Sequence, residues 1–67
     1  MRWTKQEQLA TLFGIMANGF PHPGDLEPET RLLIGLPGNM PGGGYSIEDT
    51  RVCVVETLAR ILSEGER

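Results

Sequence analysis

Cysteine and histidine are almost missing from this 67-residue chain, which holds one of each, Cys53 and His22. A single cysteine excludes an internal disulfide, and one Cys with one His cannot close a four-ligand zinc site of the Cys/His type. No metal and no cofactor are therefore expected. Long apolar runs are missing too: nothing approaches the roughly 18 apolar residues of a membrane span, so a membrane partner is not expected. Residues 5–8 read Lys-Gln-Glu-Gln, where the apolar core of a secretory signal would begin. The lone thiol suits a reducing compartment, and the expected localisation is cytoplasmic.

Positive charge is also scarce. Six Lys and Arg stand against nine Asp and Glu, for a net charge of −3. No basic stripe forms, so the electrostatic footprint of a nucleic-acid binder is lacking. The acidic excess is too small and scattered to suggest a DNA mimic. A chain this short makes one helical domain over residues 1–67 and buries only about 60 % of its unfolded surface. Without disulfides or a metal, self-association or a protein partner is the remaining support for such a thin core.

What the chain does have is helical periodicity broken by glycine and proline. Thr4-Lys-Gln-Glu7 has the form of a capping box, a hydroxyl followed three residues later by a glutamate that reaches back. Leu9, Leu12, Phe13 and Met16 then recur at helical spacing, which predicts a helix over about 4–18 that ends near Asn18-Gly19. Trp3, Ala10, Gly14 and Ala17 fall on a second, small-residue face where another backbone can come close. Phe20-Pro-His-Pro-Gly24 cannot continue a helix. Pro28 suits a helix's first position, Gly35 its end and Pro37 its termination, which predicts a short helix over 28–34, with Leu36 reaching back to Leu32. An edge strand is the competing reading of that short apolar run.

Ser46-Ile-Glu-Asp49 opens a third helix, running to about Ser63 with Gly65 as its stop. Ile47, Val54, Val55, Leu58, Ile61 and Leu62 lie within about 120° of one another on its wheel. Val52 and Ala59 widen that face, and Cys53 is apolar on the far side. The expected fold is all-α, three helices with a short middle one and a Gly/Pro-rich loop before the last.

That loop and the residues after it, Gly35 to Arg51, hold five of the nine glycines. It lacks the lysine of a phosphate-binding GxxxxGK[ST] loop, and Ile47 stands where GxGxxG needs its third glycine. A glycine turn leading into helix-start amides can still hold an anion by geometry and dipole. Gly42, Gly43, Gly44, Tyr45, Ser46, Arg31 and Arg51 are the candidates for a small anionic ligand. The structural alternative has the glycines shaping an ordered reversal, at least one with positive φ. Arg51, set within the apolar arc, then pairs with Asp25, Glu27, Glu29 or Asp49. Glu56 and Arg60 make an i, i+4 pair. His22, between two prolines, reads as a rigid loop residue, and Cys53 as a small apolar one.

No nucleophile–base pattern is present, so an enzyme is not expected. The favoured expectation is a non-enzymatic adaptor or inhibitor, of the size and charge that phages often encode, working through protein contacts as a homo-oligomer. Trp3, Ala10, Gly14, Ala17, Val52 and Cys53 are the candidate interface. A small anion or nucleotide binder is the alternative.

Overall fold

A computed structural model describes residues 3–39 and 44–64. Its described part is all-α: α1 spans Lys5–Ala17, a 3₁₀ turn spans Pro23–Asp25, α2 spans Pro28–Leu33 and α3 spans Ile47–Glu64. No strand occurs among the described residues, so the apolar run before Gly35 is a helix and not an edge strand. None of the described helices is long and apolar enough to cross a membrane.

Each boundary has a local cause. The capping box of α1 is complete: Glu7 donates its backbone N–H to Thr4 Oγ1 at 3.0 Å, and Thr4 donates its own to Glu7 Oε1 at 3.0 Å. Gly19, at φ +83°, takes the chain away from the helix end. At α2, Pro28 occupies the first turn, where a missing N–H is harmless. Its end is a Schellman motif: Leu36 donates N–H to the Arg31 carbonyl at 2.8 Å and Gly35 to the Leu32 carbonyl at 3.1 Å, around Gly35 at φ +86°. At α3 only half of the capping box forms, the Ser46 N–H donating to Asp49 Oδ2 at 2.7 Å. Gly65, the expected stop, lies outside the described residues.

The core is small: Leu12 from α1, Ile34 and Leu36 from the end of α2, and Val54 and Ile61 from α3. Half-buried Leu9, Ile15, Phe20, Leu26, Leu33, Tyr45, Cys53 and Leu58 pack around it. A cleft lined by Lys5, Gln8, Ile61 and Glu64 sets the first turn of α1 beside the last turns of α3, so the two long helices are antiparallel.

Two predicted faces are corrected. On α1, Leu12 is buried but Phe13 and Met16 are exposed, and Ile15, absent from the predicted stripe, packs on the core instead. On α3 the buried face is Thr50, Val54, Thr57 and Ile61, while Ile47, Val55 and Leu62 stay out. Cys53, expected on the far side, is half-buried against the core, whereas Val52 is exposed. Leu36 enters the core, and Leu32 remains 63 % exposed.

Candidate functional site

Arg31 is the one buried cation among the described residues, with 7 % of its surface exposed. It sits in α2, and its guanidinium turns to four backbone carbonyls. Nε donates to Pro37 at 3.1 Å, Nη1 to Pro23 at 3.2 Å and to Leu26, and Nη2 to Gly38. The 3₁₀ turn before α2 and the loop after it are thus tied through a single side chain. No carboxylate pairs with it among the described residues. Burying a charge this way is tolerable because the guanidinium's donors meet acceptors in a fixed, forked geometry.

The signal for this clamp was available in the composition of the segment. Pro21, Pro23, Pro28 and Pro37 each bring a carbonyl and no N–H, so the stretch has more acceptors than donors. Arginine offers five donors and no acceptor, and is the residue best able to correct the imbalance.

His22 makes a second tie. Gly24 donates its N–H to Nδ1 at 3.0 Å, which leaves the ring proton on Nε2, and Nε2 donates to the Tyr45 carbonyl at 2.9 Å. The ring therefore joins the 3₁₀ turn to the residue just before the α3 cap. The reading of His22 as a rigid loop residue holds, with this bridge as its reason. Gly44 has φ +87°, the positive value expected of one glycine in that turn. Gly42 and Gly43 lie outside the described residues.

The pieces of the predicted anion cradle are separately occupied where they are described. Arg31 is spent on carbonyls. Arg51 is exposed and pairs with Glu48 one turn earlier, not with Asp25, Glu27, Glu29 or Asp49. The Ser46 hydroxyl lies 3.4 Å from the Asp49 carboxylate. Arg60 pairs with Glu64 at 3.7 Å rather than with Glu56. The Glu48 carboxyl is held below its usual range by the hydrogen bond from Arg51, whose own pKa is raised in return. Burial, then the Glu56 and Asp49 carboxylates, push the Cys53 thiol up, away from the thiolate form that reacts.

No family model matches this chain, and no curated protein and no solved structure resembles it. Function has to be read from surfaces.

Of the candidate interface residues, Ala10, Ala17 and Val52 are exposed, and Trp3, Gly14 and Cys53 half-buried. A methyl group added at Gly14 would meet nothing within 4 Å, so no backbone of the same chain approaches it. Beside α2 runs a groove of about 410 Å³ between Leu32–Gly35 and the Glu56, Thr57 and Arg60 side of α3. Leu32 and Leu33 also line a smaller hollow with Trp3 and Glu29. Further exposed apolar side chains lie on the flanks of the long helices: Phe13 at 50 % exposure, Ile47 at 55 %, Val55 at 47 % and Leu62 at 48 %. Their helical spacing marks an apolar arc on each helix, and periodicity reports such an arc without saying what covers it.

Proposed function

We propose that this chain is a non-enzymatic binding protein that works through protein–protein contacts, as an adaptor or inhibitor, and as a homo-oligomer in a reducing compartment such as the cytoplasm. One observation carries the reading. Seven large hydrophobic side chains are exposed among the described residues, against five hydrophobic residues buried in the core. Single exposed leucines are ordinary, but Phe13, Ile47, Val55 and Leu62, each about half exposed on the two long helices, favour a surface that a partner covers. The two groups best suited to chemistry support the non-enzymatic half: His22 spends both ring nitrogens on backbone, and Cys53 is held as the thiol. The anion-binding alternative gains no support, since Arg31 and Arg51 face different partners.

The test is affinity capture from the native host with the wild-type chain and with Leu32→Glu and Val55→Glu variants. A protein that binds the purified wild-type chain at fixed stoichiometry and is lost with one of the variants supports the reading. Failure to find any such protein, or turnover of a substrate by the purified chain, rejects it.

A further inference from the structure

We infer that the uncovered side of the α1/α3 pair is a homodimer face, and that two copies join there as a four-helix bundle. The inference deepens the binding reading above and rests on it for the claim that exposed apolar surface is functional.

The geometry starts from the helical wheel, at 100° per residue. On α3, the six apolar residues Ile47, Val54, Val55, Leu58, Ile61 and Leu62 centre about 70° away from the buried set Thr50, Val54, Thr57 and Ile61. Two threonines face the core, one with its hydroxyl unpartnered, while Ile47, Val55 and Leu62 face out. On α1 the core-facing set Leu9, Leu12 and Ile15 centres on Leu12, and exposed Met16 and Phe13 centre about 70° away in the same rotational sense, with Leu9 between them. Because α1 and α3 are antiparallel, offsets of the same sense bring both exposed flanks to the same side of the pair. The opposite side is where α2 packs, as the groove it forms with Glu56, Thr57 and Arg60 shows. Among the described residues, the pair is thus covered on one side and open on the other.

The open side suits a second copy in charge and in size. Residues 9–17 of α1 contain no charged side chain, and the charges on this flank of α3, Arg51 and Glu48, neutralise each other. Two molecules of net charge −3 would repel through most other faces, but not through this one. Five large side chains at about half exposure leave on the order of 400 Å² of apolar surface. Exposed Ala10, Ala17 and Ala59 and the stems of Arg51 and Glu48 extend the face toward the roughly 800 Å² per partner of a stable interface. Face-to-face stacking of two antiparallel pairs is the packing of four-helix bundles, and it is self-complementary about a two-fold axis.

The experiment is sedimentation equilibrium of the full chain from 1 to 500 µM, with Phe13→Glu, Val55→Glu and a control, Leu32→Glu, on the α2 side. The wild type and the control are expected at twice the 7.4 kDa chain mass, and the two face variants at the chain mass, their dimer weakened on the order of 100-fold or more. Circular dichroism checks that the variants keep their helices. Should a glutamate variant unfold, Val55→Thr keeps the shape, and a dimer weakened without loss of helix supports the inference equally. A wild-type monomer at 500 µM overturns the inference, as does a dimer broken by Leu32→Glu and not by the face variants. A monomer that still binds a host protein defeats the dimer alone. A dimer with no host partner supports the dimer and defeats the adaptor reading.

Discussion

Arg31 decides more of this structure than any other side chain, and two substitutions test why. Arg31→Lys keeps the charge but offers one ammonium group where four carbonyls are spread around a planar fork. Acceptors left unmet in a buried position cost about 1–3 kcal/mol each, so the variant should lose on the order of 3 kcal/mol in urea unfolding. Wild-type stability in Arg31→Lys would show the carbonyl geometry to be incidental. Thr50 makes the opposite case: its buried Oγ1 has no hydrogen-bond partner, so Thr50→Val removes a desolvated hydroxyl and keeps the volume. Stability should rise by about 1 kcal/mol, and a fall would place an ordered water or partner on that hydroxyl. The Cys53 thiol, pushed up by burial and by Glu56 and Asp49, should alkylate more slowly at pH 8 than in the urea-unfolded chain. Its linkage has a definite sign. A raised folded pKa contributes stability at neutral pH that is lost as pH climbs past the ordinary thiol range.

Helix ends were legible and helix faces were not. The Thr4–Glu7 box, Pro28, Gly35 and the Asn18-Gly19 exit are local chemistry, and each formed as its residues dictate. Which arc of α1 or α3 is buried depends on the segment that crosses the pair, and periodicity cannot see it. The clamp is hidden for a similar reason: Arg31 reads as a candidate anion ligand on a short helix, and only the fold brings the carbonyls of Pro23 and Pro37 around it. Arg51, set within the apolar arc, is exposed and pairs with Glu48, because the flank of the arc that holds Ile47, Val55 and Leu62 is itself exposed. Gly14 and Gly35 separate the two uses of glycine in these elements. Gly35→Ala places a Cβ at φ +86° and should cost about 1–2 kcal/mol. Gly14→Ala meets open space in a helix interior and should raise stability by about 1 kcal/mol in thermal melts. A Gly14→Ala chain that melts lower, and more so at high protein concentration, would put the small-residue face of α1 in an interface.

Across the whole molecule, the charge distribution sets the response to acid. Acid unfolding usually follows from protonating carboxylates that are paired in the folded state. Here the buried cation is held by carbonyls, which do not titrate in that range, so acid leaves the clamp intact. Glu48, held low by Arg51, contributes stability that is present above the unfolded carboxylate value and is lost as pH falls through its folded value. That pair is exposed, and exposed pairs are worth little. The midpoint of urea unfolding should therefore shift little between pH 7 and pH 4.5, provided protein concentration is held constant so that any dimer equilibrium does not move the baseline. A loss of several kcal/mol over the same window would mean that a carboxylate supports the fold. The carbonyl clamp would then not be the main tie between the turn, α2 and the loop.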